Sequence, residues 1–460
     1  MENVNELKEN PLGYEKVGKL IRKFAVPSIL AMLISSLYNI VDQIFIGQGV
    51  GPLGNAATNV SFPLTSISLA ISLLIGIGAA SNCSIMLGRN EKKEAGQILA
   101  NAIWMMSILG IIFAVVAELT LPSLLMAFGS TESIYPYAFG YARIILIGMP
   151  FLIMNNALSN LIRADGSPRY SMVSMMVGAI INTILDPIFI FVLKMGVEGA
   201  ALATIISQII SCLISIAYIP RFKRFRITKE NYKINFRMWY LISSLGMSNS
   251  INQIAFTIVQ IVMNNSLKFY GAQSIYGPDI PLAAFGVCMK VNALFIAFFV
   301  GMNQGTQPIL GFNYGAMKYD RVMETFKKGI LIDVLAGVIG LILFESCPGL
   351  IVKMFGTGSD PLYFEFAEKT LRIFLSMIVC IGASFLCNNL FSSIGQPGKG
   401  ILLSLSRQFI FLIPLLLLLP LAMGIDGILI AGPISDFLAL ALALVFVVLQ
   451  FKKMKKNIEN

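Results

Sequence analysis

The chain has 460 residues, of which 56% are hydrophobic and 13% charged, about half the charged share of a soluble domain. Such a composition excludes both a water-soluble globule and a disordered chain. The absence of histidine excludes His-dependent triads, His-ligated metals and His proton relays. A formal net charge of +10 would suggest nucleic acid in a soluble domain, but here the basic residues punctuate apolar runs. They read as topology signals, and no nucleic-acid partner is expected.

In chain order, residues 1–10 are polar, and the first apolar run is too long for a signal-peptide core, so no cleavage is expected. A bilayer needs roughly 20 apolar residues per helix. Windows of that size give twelve candidate spans, at about 20–47, 53–82, 95–118, 133–162, 168–193, 197–220, 237–270, 281–309, 323–346, 363–393, 398–420 and 427–451. Backbone groups in lipid must be satisfied within each segment. The expected fold class is therefore all-α integral membrane: twelve transmembrane helices in two parallel six-helix lobes forming a central cavity. Windows longer than the bilayer imply tilt or kinks.

With the N-terminus inside, 26 of the 34 Lys and Arg fall in inside segments. The positive-inside rule then places both termini on the cytoplasmic side of a cytoplasmic (inner) membrane. The longest polar stretch, Arg221 to Arg237, divides the spans six and six. It suggests an N-lobe at 1–220, a cytoplasmic basic linker at 221–236 and a C-lobe at 237–460. An internal repeat supports the division: Gly166-Ser167-Pro168 matches Gly395-Gln396-Pro397, and Gly196-Val197-Glu198-Gly199 matches Gly424-Ile425-Asp426-Gly427. Six spans per half make the repeats parallel, an arrangement suited to alternating access.

Charges inside spans are costly and mark function by default. Asp42 lies about 28 Å beyond Lys23, and Asp186 about 27 Å beyond Pro168, at 1.5 Å per residue. Thr204 sits near the outer start of the sixth span, at similar height, and Asn182 shares a helix face with Asp186. Two carboxylates, an amide and a hydroxyl are hard oxygen donors, so Asp42, Asn182, Asp186 and Thr204 are the candidate site for Na⁺ or a shared proton. Polar stripes run through Ser28, Ser35, Asn39 and Asp42 on the first span and through Thr204, Gln208, Ser211 and Ser215 on the sixth. Pro27 and Pro187 are hinge candidates, since each frees a carbonyl.

Arg143, Lys268, Lys290, Asp333, Arg407 and Asp436 are weaker signals. Asp333 falls toward the inner end of its span, within reach of the interface, and Asp436 is a second-choice site. The six cysteines form no CxxC pair and read as buried hydrophobes. The Met and Phe content reads mainly as packing. Gly49 to Gly54 fits GxGxxG but follows a membrane span, not a strand, so it reads as a loop. No catalytic cluster is apparent, and neither an enzyme nor a cofactor is expected.

The sequence resembles the multidrug and toxic compound extrusion (MATE) family over nearly its whole length. The resemblance rests on Pro27 with Asn39-Ile40-Val41-Asp42, and on Gly88 through Ala95 echoed by Gly315 through Val322. It also rests on Arg163 through Pro168, Asn182 through Pro187, and Gly196 through Thr204. It implies a secondary antiporter that expels cationic amphiphilic compounds in exchange for Na⁺ or H⁺. In relatives with a first-half site the ligands match Asp42, Asn182, Asp186 and Thr204, with Tyr141 nearby. Other relatives use acids of the seventh and tenth spans, where this chain has amides. The expected substrate cavity includes Tyr141, Asn39, Gln208 and Asn156, and a monomer in the lipid bilayer is expected. The alternative is a lipid-linked oligosaccharide flippase of the same superfamily, which would use Arg143, Lys290 and Arg407 to line a cationic cavity.

Overall fold

The computed structural model describes residues 10–225, 227, 229–355 and 361–459. The protein is an all-α integral membrane protein of about twelve spans. After a short helix, Pro11–Tyr14, the first half runs α1 (Val17–Gly49), α2 (Pro52–Gly88), α3 (Lys92–Ala127), α4 (Tyr135–Ala164), α5 (Pro168–Pro187) and α6 (Gly196–Ile216). The second half runs α7 (Phe236–Ala272), α8 (Asp279–Gly315), α9 (Tyr319–Ser346), α10 (Pro361–Phe374), α11 (Ile378–Ser393), α12 (Pro397–Leu405), α13 (Ile413–Met423) and α14 (Ile425–Glu459).

Among the described residues, ten helices are each long and apolar enough to cross a membrane, counting α12 with α13 as one. The tenth span differs from the single helix expected at 363–393. It is α10 and α11, bent by 44° at a break with no glycine or proline. The seventh, α7, has 37 residues, about 55 Å at 1.5 Å each, but carries Asn249, Asn252, Gln253, Gln260, Asn264 and Asn265. It packs along α2 of the first half, where amides can be satisfied within protein. A short helix, Pro348–Phe355, also precedes the tenth span.

The repeat is visible in the backbone. Left-handed φ angles occur at Asn90, Gly166 and Gly196 in the first half, and at Met317, Gly395 and Gly424 in the second. The fifth span continues through a π-helical turn, Ile188–Val192, and the eleventh contains another, Ser406–Leu412. Such turns are rare and concentrate at functional sites.

The apolar core is shared between the halves at one end and divided at the other. One cluster joins Leu20, Phe24, Ile75 and Leu87 to Ile242, Met302, Ile309 and Phe312. At the opposite end, Leu64, Leu121, Leu146 and Val197 form a cluster of the first half alone. Met263, Phe285, Phe366 and Leu429 belong to one of the second half alone.

The shared end is sealed by close backbone approach. A side chain at Gly78 would collide with the Ile242 carbonyl, and one at Gly246 with that of Leu74. Gly88 and Gly315 face Phe312 and Ile85 in the same way. Small residues are what allow membrane helices to meet so closely. Amides lock the seam: Asn82 donates to the Leu241 carbonyl at 2.9 Å, and Gln307 donates to the Ile77 carbonyl at 3.1 Å and to Ser81 at 2.8 Å. The segment before α1 is fastened to the second half by Asn313, Lys318 and Arg321, which donate four hydrogen bonds to the carbonyls of Leu12, Gly13 and Glu15.

Asp333 is fully buried, about 21 Å along α9 from its start at Tyr319.

Candidate cation site between the first, fifth and sixth spans

Asp186 lies near the end of α5, immediately before Pro187 and the π-helical turn, and is fully buried. Pro187 has no N–H to return to the preceding turn, so the helix cannot continue there with regular bonding. Asn182, one turn earlier and 1% exposed, donates to Asp186 Oδ1 at 3.3 Å and to the Thr204 hydroxyl oxygen of α6 at 3.4 Å. Asp42 of α1 is half-buried, and its carboxyl group lies within hydrogen-bonding reach of that of Asp186. The structure thus brings Asp42, Asn182, Asp186 and Thr204 together.

Three oxygens of this cluster, Asp42 Oδ1, Asn182 Oδ1 and Asp186 Oδ2, are buried without a hydrogen-bond partner. Buried acceptors left unpaired are expensive. Two adjacent carboxyl groups cannot both be ionised there unless a cation compensates them. Among the described residues no three His, Cys, Asp or Glu side chains gather as a metal site. The donor set is instead two carboxyls, an amide and a hydroxyl, all hard oxygens, which fits an alkali cation or a shared proton and not a thiophilic metal.

Two tyrosines flank the cluster. Tyr141 of α4 lies close enough to interact electrostatically with both carboxyls. Tyr38, one turn before Asp42, does the same and lies near the side chains of Ser35 and Asn39. Sequence reasoning passed over Tyr38, although its i, i+4 relation to Asp42 was a usable signal.

The remaining candidates are dispersed. Asn39 is exposed and donates to the Ser35 carbonyl at 2.7 Å. Gln208 turns its unpaired Oε1 toward Gly148 of α4. Asn156 is half-buried, and it is its neighbour Asn155 that accepts from Ser174 at 3.2 Å and Ser215 at 2.7 Å. This hydroxyl network joins α4, α5 and α6 beneath the cation cluster. Pro27 is buried within α1. Its neighbours Ala25 and Ile29 lie directly against Gly305 and Gly301 of α8.

Outside the cluster, most in-span charges are paired or exposed. Arg143 pairs with Glu118 at 3.0 Å, and Arg407 with Asp436 at 2.7 Å. Lys268 and Lys290 are exposed.

Long apolar helices in two similar halves, a buried oxygen-lined cluster in one of them and a seam closed at one end define a multi-pass membrane transporter. Comparison with known proteins gives the same class. The MatE family model matches residues 27–188 and 250–418, one stretch in each half, and the chain belongs to that family. It is 27% identical to the multidrug export protein MepA of Staphylococcus haemolyticus (strain JCSC1435), over 94% of this chain and 95% of the relative. It is 25% identical to MepA of Staphylococcus aureus (strain MRSA252), over 94% of each. The fold matches a structure described as the outward-facing conformation of a multidrug resistance MATE family transporter of the MOP superfamily, with TM-score 0.89, 22% identity and 99% of each chain covered. It also matches a MATE structure in complex with MaL6, with TM-score 0.90, 22% identity, and 99% of this chain and all of the other covered.

Proposed function

We propose that the protein is a secondary multidrug exporter of a bacterial cytoplasmic membrane. It would expel cationic amphiphilic compounds in exchange for Na⁺ or H⁺, with both termini in the cytoplasm. The observation that carries this reading is the pair of neighbouring carboxyls, Asp42 and Asp186, each with one unpaired buried oxygen, beside the unpaired oxygen of Asn182. An arriving cation binds Asp42 of α1 together with Asp186 of α5, and so favours the arrangement in which those helices stay close. Pro27 and Pro187 are the points where α1 and the fifth span yield. Coupling requires only that the ion bind one arrangement better than the other.

Substrate entering from the cytoplasmic side meets the seam of Gly78, Gly246, Gly88 and Gly315 in its closed form. Release occurs toward the end where the apolar core divides. The family membership and the names of the MepA relatives support export as the activity.

The test is uptake of a fluorescent lipophilic cation into proteoliposomes under separately imposed Na⁺ and H⁺ gradients. One gradient is expected to drive transport and the other to be dispensable. Undiminished transport with both gradients dissipated would sink the reading. Movement of a lipid-linked sugar in place of the dye would favour the flippase. The pairing of Arg143 and Arg407 with carboxylates removes two of the three free cations that the flippase reading uses.

A further inference from the structure

A groove of about 560 Å³ lies at the sealed end of the bundle, between α3 and the segment that leads into α7. Gln97 and Asn101 of α3 form one wall, and Asn231, Lys233 and Arg237 contribute the other. The groove is built by specific bonds. Asn101 Oδ1 accepts from the Asn235 N–H at 2.8 Å, and its amide donates to the Lys233 carbonyl at 3.4 Å. The Trp104 indole N–H donates to the Tyr232 carbonyl at 2.9 Å. Asn235 caps α7 through the Arg237 N–H at 3.0 Å.

Two features point to a ligand. Asn231 is 2% exposed and lines the groove, yet among the described residues neither its amide nitrogen nor its amide oxygen has a partner. A buried side-chain amide without a partner is costly. Lys233 and Arg237 are exposed, and among the described residues neither pairs with a carboxylate. Among the described residues no carboxylate lines the groove. The surroundings are those of a membrane interface. Phe236 and Tyr240 are 76% and 73% exposed, and Trp104, hydrogen-bonded to the Tyr232 carbonyl, is 39% exposed. Amphipathic aromatic rings collect at headgroup level. Helices of 36 and 37 residues are about 54 Å long, against a hydrocarbon core of about 30 Å, so their ends project into the headgroup layer.

We infer that this groove is a binding site for the phosphate headgroup of an anionic phospholipid. Lys233 and Arg237 would take the phosphate oxygens, Asn231 and Gln97 would hydrogen-bond the headgroup, and the acyl chains would run along Phe236, Tyr240 and Trp104. Basic pockets between membrane helices on the cytoplasmic side suit such lipids. The ligand would clamp the linker onto α3 and steady the base of α7, the helix that carries Gly246 in the seam.

The test uses the full chain purified in neutral detergent and read by native mass spectrometry and by melting. The probes are phosphatidylglycerol, phosphatidylcholine and inorganic phosphate. Phosphatidylglycerol should bind and raise the melting temperature; the other two should not. Lys233→Gln with Arg237→Gln should weaken phosphatidylglycerol binding about 30-fold, since two basic groups at the surface are removed. Lys233→Arg with Arg237→Lys should stay within about threefold of wild type by the same reasoning. Asn231→Asp, which sets a carboxylate on the groove floor, should also lose binding. Unchanged affinity in the double Gln variant, with melting in detergent alone unaltered, would overturn the site. Equal binding of phosphatidylcholine would overturn the charge argument. Stabilisation by inorganic phosphate equal to that by the lipid would overturn the lipid assignment.

Discussion

The two halves share a backbone plan but carry opposite electrostatics. In the first, Asp186 stands beside a π-helical turn and faces a second carboxyl, Asp42, with no fixed cation between them. In the second, the span with the corresponding π-helical turn carries Arg407, and this cation is covalently part of the chain and already rests on Asp436 at 2.7 Å. Around it, Asn249, Asn252, Asn303 and Asn388 line a small polar cavity. On the proposed reading, the Asp42–Asp186 site takes its cation from outside, whereas Asp436 is paired with Arg407 of the chain itself. One duplicated scaffold would then hold a switchable site and a permanently neutralised one.

The sharpest way to break this contrast is to remove the carboxylates one at a time. Asp42→Asn or Asp186→Asn should cut gradient-driven uptake on the order of a hundredfold, the factor that about 3 kcal/mol of lost ion affinity gives. Asp436→Asn should cut it less than about tenfold, because its ion is not exchanged. Proteoliposome uptake with matched protein levels measures both.

Stability should behave in the reverse sense. Arg407→Ala leaves Asp436, 3% exposed, without its partner and should cost about 3–5 kcal/mol. Replacing both residues with Leu should be close to neutral. Melting in detergent would show the difference, and a fully stable Arg407→Ala would refute the neutralised-site reading.

A third comparison sets the seam against open helix surface. Gly246→Val would meet the Leu74 carbonyl and hold the sealed end apart, at about 1–3 kcal/mol of overpacking. Cysteine labelling from that side should rise and transport should fall. Gly286→Ala on α8 has open space around it and should stay within about 0.5 kcal/mol of wild type. A smaller effect on transport than that of the carboxylates is expected of Tyr38→Phe, which removes a hydroxyl close to Asp42 and Asp186 and should slow uptake about three- to tenfold.

Much of the fold was legible because a membrane span needs an apolar run of set length, and charge asymmetry between loops is countable. The bend between α10 and α11 was not. Leu375, Ser376 and Met377 carry no glycine or proline, so the break reflects packing and not local preference. The burial of Asp333 is not legible from its window, because hydropathy does not give which face of α9 packs inward. Asp42, Asn182, Asp186 and Thr204 could be assigned a common depth from rise per residue, but depth does not give rotation about the helix axis. Asn155 and Asn156 show the limit: neighbours on a helix point about 100° apart, and on an apolar helix nothing in the hydropathy marks which one joins the hydroxyl network.

The four bonds from Asn313, Lys318 and Arg321 to residues 12–15 grip only main-chain carbonyls. That hold does not read side chains, so substitution of exposed Tyr14 should be tolerated, whereas Leu12 is buried in the core and losing Arg321 should loosen the strip. It also behaves as a leash: whenever the halves swing apart at this end, the strip must let go of the far half or be dragged with it. A fluorophore attached at exposed Tyr14 would test whether the strip stays held during transport.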